Sequence, residues 1–289
     1  MFPLLPLELY LKIASYIDED DIPTLYSCIL VNRQSFFSYI SILWRKPFHI
    51  AHRLPRYKVV NLVKVCISTF TADEKRQLST RSIRFPTQSS TPLINYIKFI
   101  ECVSDAYIIK ALMYFPGVST IELWKVLIEK LVNDAAKIKC LEIQNFALYW
   151  SCMQLDQTLF KMREVKVLKV KRITREQVKI LTKFVAIQNS LGEAFFGEVY
   201  TGIGEIIEAL ESYRERKGSL YKVGFRNCNF LRNAYACDVM RFFKMMDNVL
   251  LNACSGLDYE MMRKLKCKMK DNLNIDNISL YDTYSIFWC

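Results

Sequence analysis

The sequence predicts an α/β chain with a small three-helix unit at its N-terminus and a repeating strand–helix solenoid after it. The first fifty residues contain three short apolar runs with helical spacing. Seven copies of one apolar pattern then recur at intervals of 20 to 29 residues. The two parts also differ in charge, because residues 1–50 carry a net charge of −1 and the remaining residues carry +12.

The composition is typical of a globular intracellular protein. Of the 289 residues, 52% are hydrophobic, and the sequence has no uninterrupted apolar run of about 18 residues, so we expect no membrane span. Ten cysteines are scattered without a C-x-x-C pair, and no secretory signal is recognisable at the start. Such cysteines are mostly reduced, which indicates a cytoplasmic or nuclear location.

The three predicted helices follow one another in the first fifty residues. The first is predicted to begin after Pro6, because proline is well tolerated at a helix start. An acidic break, Asp18–Asp21, separates it from the second helix, and the last two aspartates of the break are candidate N-caps. A third apolar run is expected to end before Pro47. Three short helices around a small apolar centre are therefore predicted.

This segment resembles the F-box of expanded fungal protein families. The ordered match covers about 45 residues and comprises Leu5-Pro6, Glu8, Leu11, Ile13, Leu25, Cys28, Leu30–Arg33, Leu43–Arg45 and Pro47-Phe48. One position departs from the pattern: Ser35 stands where many F-boxes carry tryptophan. Phe36 or Phe37 is expected to take that space.

The resemblance implies a partner and a role. F-box helices dock on a small adaptor of the Skp family, which links them to a cullin. By this carry-over, the adaptor-binding residues are Leu5, Pro6, Leu30 and Val31. The chain is then expected to be a non-catalytic substrate receptor of a cullin–RING ubiquitin ligase. The alternative is a plain helical cap of the following domain, with these side chains buried inside it.

The repeated pattern contains an apolar residue, two variable residues, an apolar-x-apolar pair, two more residues and a small or apolar residue. The copies begin at Val118, Ile138, Val165, Leu191, Leu220, Met246 and Ile275. These lengths fit a leucine-rich repeat, in which a strand precedes a helix, and residues 205–216 and 237–246 have helical apolar spacing. Stacked units would place parallel strands on a concave face and helices outside.

These patterns divide the chain into three parts. Residues 1–50 form the F-box-like unit, residues 51–115 a helical connector with an irregular first repeat near Ser82–Phe85, and residues 116–289 the leucine-rich-repeat-like solenoid. The number of repeats within residues 51–115 stays open.

Substrate binding is predicted on the exposed side of the strands. Side chains alternate along a strand, so residues between the apolar positions point outward. The candidates are Trp124, Glu142, Lys169, Lys171, Lys222, Arg226 and Tyr281. Aromatic and Arg side chains are common interface hot spots, and the basic centre favours an acidic or phosphorylated segment of a protein substrate that the sequence does not identify.

No catalytic residue, cofactor or metal is predicted. The only histidines are His49 and His52, and no Cys, Asp or Glu follows them within ten residues. Nucleotide-binding glycine motifs do not occur. The basic stretches Lys161–Lys183 and Arg263–Lys270 keep nucleic-acid binding as an alternative, although few aromatics interleave with their charges. A protein-interaction scaffold outside any ligase is the other alternative.

Overall fold

The computed structural model describes residues 6–51, 53–80, 94–115, 119–135, 137–144, 161–230, 236–252 and 254. The chain divides into two compact units, Met1–Ile138 and Lys139–Cys289. The described part of the first unit is mostly helical, and that of the second alternates strands with helices. The α/β class predicted from the sequence is therefore confirmed.

The first unit contains eight α-helices in its described residues. They are α1 (Leu7–Ala14), α2 (Ile22–Ile29), α3 (Arg33–Leu43), α4 (Pro47–Ala51), α5 (Arg56–Ser68), α6 (Ala72–Thr80), α7 (Asp105–Leu112) and α8 (Thr120–Asp134). A 3-10 turn, Tyr96–Phe99, and a short strand, β1 (Cys102–Ser104), precede α7. The stretch predicted as a connector is thus largely helical where it is described.

The three predicted N-terminal helices are confirmed, together with the start signals predicted for the first two. Helix α1 begins directly after Pro6. The Asp21 side chain accepts a hydrogen bond from the Thr24 backbone N–H at 3.2 Å, which caps α2. The Asn32 side chain caps α3 in the same way through the Ser35 N–H at 2.8 Å. Each cap satisfies a backbone donor that the helix itself leaves unpaired.

One apolar cluster holds these helices together. Its buried members are Tyr10, Ala14, Leu25, Ile29, Tyr39 and Ile40. Phe36 packs against this cluster, whereas Phe37 is 53% exposed, so Phe36 is the phenylalanine that contributes to the core beside the buried Ser35. The Trp44 ring also stacks on Tyr96 with centroids 4.6 Å apart, which connects the end of α3 to the 3-10 turn.

The second unit is built on parallel strands. Its described elements are β2 (Cys140–Ile143), β3 (Val167–Lys171), α9 (Arg175–Ala186), β4 (Glu193–Gly197), α10 (Ile203–Lys217), β5 (Lys222–Arg226), α11 (Ala236–Met245) and β6 (Asn248–Asn252). Each of these strands pairs in parallel with the next one along the chain. Helices α10 and α11 confirm the predicted helical runs.

The predicted repeat register is confirmed for these five strands. The first residue of each central apolar pair lies in one row across the sheet: Leu141, Leu168, Ala194, Val223 and Val249. All five are buried. The pattern in the sequence therefore identified the inward-facing row residue by residue.

The turns that follow three successive strands have the same backbone geometry. Arg172, Glu198 and Asn227 each adopt a positive φ of 50–55°, which is uncommon for residues with a side chain. Each of their N–H groups donates to a carbonyl of the next strand, at 2.8–3.1 Å. These hydrogen bonds help to offset the conformational cost, and the repetition shows that the units are alike in backbone detail.

One predicted repeat copy is wrong. Residues 118–126 were expected to contribute a strand with Trp124 on its outer side, but Thr120–Asp134 forms helix α8 and Trp124 is fully buried. The apolar residues at positions 123, 124, 127, 128 and 131 have helical spacing, and the helix that carries them has fifteen residues, which is too long for an ordinary strand. A short apolar-x-apolar motif also occurs within an amphipathic helix, so the motif alone does not distinguish a strand from a helix. The copies at Ser82–Phe85 and Ile275 lie outside the described residues.

A buried thiol in α5 provides a test of packing in the first unit. Burial raises the pKa of Cys66 to about 12, because no solvent stabilises the thiolate. The thiolate is the reactive form, so Cys66 should resist iodoacetamide at pH 8 while the half-buried Cys28 reacts. Mass spectrometry of the labelled native chain measures this. Rapid labelling of Cys66 before unfolding would contradict its burial.

Candidate protein-interaction surfaces

Exposed apolar side chains are concentrated on the N-terminal helices. Among the described residues, thirteen large hydrophobic side chains are exposed, and eight of them lie between positions 9 and 37. These eight are Leu9, Leu11, Ile13, Tyr16, Tyr26, Leu30, Val31 and Phe37. We refer to them as the N-terminal apolar surface. Clustering of this kind marks interaction sites more often than scattered single exposures do.

Helix α1 shows why this surface is unusual. It buries Tyr10 and Ala14 along one stripe, as a surface helix should. Its other sides carry Leu9, Leu11 and Ile13, which are 44–50% exposed, at positions where polar residues are expected. The helix is thus more apolar than the core of its own unit requires.

The predicted adaptor-binding residues lie on the outside where they are described. Leu30 and Val31 are 67% and 69% exposed in the turn between α2 and α3, and Pro6 is exposed ahead of α1. Leu5 lies outside the described residues. The exposure of Leu30 and Val31 disagrees with the alternative in which these side chains are internal.

The acidic break beside these helices is held by basic residues at the end of α3. Arg45 pairs with Glu19 and, at 3.3 Å, with Glu101. The Lys46 ammonium lies 2.9 Å from Asp20, and this hydrogen bond lowers the pKa of the Asp20 carboxyl. The carboxylates of Glu19 and Asp20 therefore hold the loop against the short segment between α3 and α4.

The second surface is one face of the parallel sheet. Alternation and register place twelve residues of β3–β6 on it: Val167, Lys169, Lys171, Glu193, Phe195, Gly197, Lys222, Gly224, Arg226, Asn248, Leu250 and Asn252. We call this the open face, because most of these residues are partly exposed, whereas the opposite row is buried. Lys169, Lys171, Lys222 and Arg226 lie here, as predicted.

The three other predicted substrate-binding residues are not exposed on this sheet face where the structure describes them. Glu142 pairs in register with Lys169 and so shares its face, but it is only 3% exposed and accepts a hydrogen bond from Gln144 at 2.7 Å. The prediction that Glu142 is accessible is wrong, because strand alternation determines the direction of a side chain and not how deeply it is buried. Trp124 is buried in α8, and Tyr281 lies outside the described residues.

The charge of Lys222 is balanced within the open face. Its ammonium lies 3.2 Å from Glu193 and 5.3 Å from the centroid of the Phe195 ring. The Tyr221 hydroxyl donates to the same carboxylate at 2.7 Å, which raises the pKa of Tyr221. Lys222 therefore belongs to a local network in which the Glu193 carboxylate balances its positive charge.

Lys171 has a different environment. Burial lowers the pKa of its ammonium, the nearby Arg226 lowers it further, and Glu198 and Glu142 act in the opposite direction. In the sheet, Lys171, Gly197 and Arg226 lie side by side in one row. Two partly buried cations thus flank a residue that has no side chain.

The sequence did not single out Phe195, Gly197 or Glu193, although they shape this face. The three apolar residues Ala194–Phe196 stand together, which hides the alternation of β4. The repeat register identifies all three residues when it is extended to the outward positions, because it assigns positions 193, 195 and 197 to the outer row.

The basic stretch Lys161–Lys183 does not form a single face. Lys169 and Lys171 lie on the open face, whereas the exposed Lys179 and Lys183 belong to α9. Arg172, in the turn, pairs with Glu198 at 2.7 Å. A nucleic-acid backbone favours a continuous basic track, and this distribution offers less of one than the sequence suggested. Arg263–Lys270 lies outside the described residues.

The described part of the chain also lacks the features of two other kinds of site. It contains no cluster of three or more His, Cys, Asp or Glu side chains arranged to hold a metal. None of its helices has the length and apolarity needed to span a bilayer. The His49 ring packs on Tyr107 with centroids 4.8 Å apart, and His52 lies outside the described residues.

Comparison with protein-family models, with curated proteins and with solved structures finds no match to this chain.

Proposed function

We propose that the protein is a substrate-receptor subunit of a cullin–RING ubiquitin ligase. The N-terminal helices would bind a Skp-family adaptor, and the repeat unit would bind a protein substrate. The observation that carries this proposal is the N-terminal apolar surface, which includes Leu30 and Val31 at the positions that the F-box resemblance implies. Burial of apolar area supplies about 25 cal/mol per Å² before the costs of association.

The repeat unit fits a leucine-rich repeat. That repeat has the form L-x-x-L-x-L-x-x-N/C-x-L, and Cys228 and Cys254 occupy the N/C position of two successive copies. The Cys228 sulfur lies 3.5 Å from the Phe196 carbonyl and the Cys254 sulfur 3.3 Å from the Phe225 carbonyl. Both thiols can therefore donate to the preceding strand, which supports a shared role in stacking the units.

Substrate binding is proposed for the open face. Lys169, Lys171 and Arg226 are partly exposed there and belong to no inward-facing row. Reversing their charges should weaken substrate binding and leave adaptor binding unchanged. A protein-interaction scaffold outside any ligase would keep the same open face, so the N-terminal helices decide between the two functions.

Affinity purification of the full chain, followed by mass spectrometry, tests the proposal. Recovery of a Skp-family adaptor together with a cullin is expected. An adaptor without a cullin would favour the scaffold function, and sensitivity of the purified material to nuclease would favour nucleic-acid binding.

The receptor is expected to have no ubiquitin-transfer chemistry of its own. Its contribution would be proximity, since holding reactants together can supply much of a rate enhancement. In a reconstituted reaction, ubiquitin transfer should require the cullin–RING partner. Non-reducing electrophoresis should show no ubiquitin thioester on any of the ten cysteines, and a thioester-linked product would overturn this part of the proposal.

A further inference from the structure

Two cysteines of successive repeats lie side by side just beyond the ends of neighbouring strands. Arg226 and Asn252 are register partners in β5 and β6, and the Asn227 N–H donates to the Asn252 carbonyl at 2.9 Å. Two residues after these register partners stand Cys228 and Cys254, and both are free thiols. The parallel register therefore brings together two thiols that are 26 residues apart in sequence.

The spacing of the strands suits a bond between these two sulfurs. Neighbouring strands lie about 4.8 Å apart, and the Cα atoms of a disulfide-bonded pair are roughly 4.4–6.8 Å apart. The Cys228 sulfur lies 3.5 Å from the Phe196 carbonyl, and the Cys254 sulfur lies 3.3 Å from the Phe225 carbonyl. Phe196 and Phe225 are themselves register partners. The two thiols therefore point the same way from adjacent positions, and joining them needs little movement of the backbone.

The two thiols also influence each other's ionisation. A hydrogen bond with Cys254, together with burial, raises the pKa of Cys228. The same hydrogen bond lowers the pKa of Cys254 against the effect of burial, and the Cys228 backbone N–H lowers it further. Cys228 is 1% exposed, whereas Cys254 is partly exposed. Because the thiolate is the reactive form of cysteine, Cys254 is the thiol of this pair that reacts first.

We propose that Cys228 and Cys254 form a reversible disulfide that links two successive repeats under oxidising conditions. The oxidant is a small-molecule disulfide such as oxidised glutathione. The Cys254 thiolate attacks one of its sulfurs, which forms a mixed disulfide and expels one glutathione thiolate. The Cys228 thiol then loses its proton and attacks the Cys254 sulfur, and the second glutathione thiolate leaves. The two protons lost by the protein are taken up by these thiolates, so one oxidised glutathione becomes two molecules of reduced glutathione.

Modification of Cys254 also prepares Cys228 for the second step. A Cys254 sulfur that is bonded to glutathione no longer ionises, so the main cause of the raised pKa of Cys228 is removed. The finished disulfide constrains the unfolded chain, which stabilises the folded state. In a reducing compartment such a bond is transient. The pair would therefore stabilise the repeat unit during oxidative conditions and release it afterwards.

Peptide mapping of the full chain tests the proposal. The folded protein is incubated with oxidised glutathione, the remaining thiols are blocked with iodoacetamide, and the chain is digested with trypsin without reduction. Cys228 then falls in peptide 227–232 and Cys254 in peptide 245–263, each with a single cysteine. These two peptides, linked to each other, should account for most of the disulfide formed, and dithiothreitol should separate them.

Serine variants assign a role to each thiol. Cys228→Ser should stop the reaction at the glutathione mixed disulfide on Cys254. In Cys254→Ser, Cys228 should be modified about tenfold less than Cys254 is in Cys228→Ser, because its thiol is buried and protonated. Cys28→Ser is the matched control: it removes a partly exposed thiol from α2 and should leave the linked product unchanged.

Thermal unfolding measures the effect of the bond on the fold. The oxidised chain should unfold several degrees above the reduced chain, and this difference should be absent from Cys228→Ser. A midpoint that is no higher after oxidation would contradict stabilisation of the repeat unit.

The linked peptides decide the main claim, and they need no variant that has to fold. Their absence from the oxidised native chain would overturn the inference in each of its three forms. The two thiols would remain free, or the mixed disulfide on Cys254 would persist, or one of the pair would be joined to a different cysteine. Loss of the linked product in Cys28→Ser would also contradict it. None of these results depends on adaptor or substrate binding, so they are independent of the receptor function.

Discussion

Replacing Leu30 and Val31 together by aspartate should abolish adaptor binding. Both side chains are about two-thirds exposed in the free chain, and both would be buried in the complex. Full burial of an aliphatic side chain contributes about 1.5–3 kcal/mol, and burying an unpaired carboxylate is costly in addition. The affinity should therefore fall at least about a hundredfold. Co-expression with a Skp-family adaptor and isothermal titration of the purified proteins measure the loss.

Met113→Asp is the matched control for this experiment. Met113 is 69% exposed, as Val31 is, but it follows α7 and lies outside the N-terminal apolar surface. The Met113→Asp variant should bind the adaptor as tightly as the unchanged chain. Undetectable binding by the unchanged chain would refute the ligase proposal. Unchanged binding by a folded double variant would remove Leu30 and Val31 from the contact.

Most of the fold could be predicted where local signals and tertiary structure agree. Asp21 caps α2 as predicted, because its short polar side chain reaches a free N–H group in the first turn of the helix. In the second unit, the recurring apolar row predicted five strands with their register. A row that must face one core in every unit leaves little freedom of register. Repetition supplied the information that a single strand lacks.

The candidate site was less predictable, because the apolar pattern of a strand indicates which way a side chain points but not which side chains surround it. Lys171 and Lys222 are the same residue type on the same face, yet burial lowers the pKa of Lys171 while the nearby Glu198 acts in the opposite direction, and Lys222 pairs with Glu193. This difference depends on which residues become neighbours across strands that are 26 to 29 residues apart in sequence. Glu142 likewise has the predicted direction, but its burial depends on contacts that its own strand does not encode.

The largest stability effect is expected at Trp124, where the strand and helix interpretations of residues 118–126 make opposite predictions. In a strand with the proposed register, Ile121 is inward and Trp124 outward. In α8, Trp124 is fully buried and Ile121 is 40% exposed. Trp124→Ala should therefore lower the free energy of unfolding by about 3–5 kcal/mol, and Ile121→Ala by less than about 1 kcal/mol.

Urea denaturation followed by far-UV circular dichroism measures both changes in the full chain. Ile121→Ala is the matched control, because it truncates a large apolar side chain of the same helix three positions away. If Trp124→Ala does not fold, Trp124→Phe keeps the test open, since it leaves a smaller cavity and should cost less than Trp124→Ala and more than Ile121→Ala. A larger loss of unfolding free energy in Ile121→Ala than in Trp124→Ala would support the strand interpretation of residues 118–126. A larger loss at Trp124 would establish that this copy of the repeated pattern is an amphipathic helix. An apolar-x-apolar pair therefore indicates a strand only when the residues three and four positions away do not continue a helical apolar pattern.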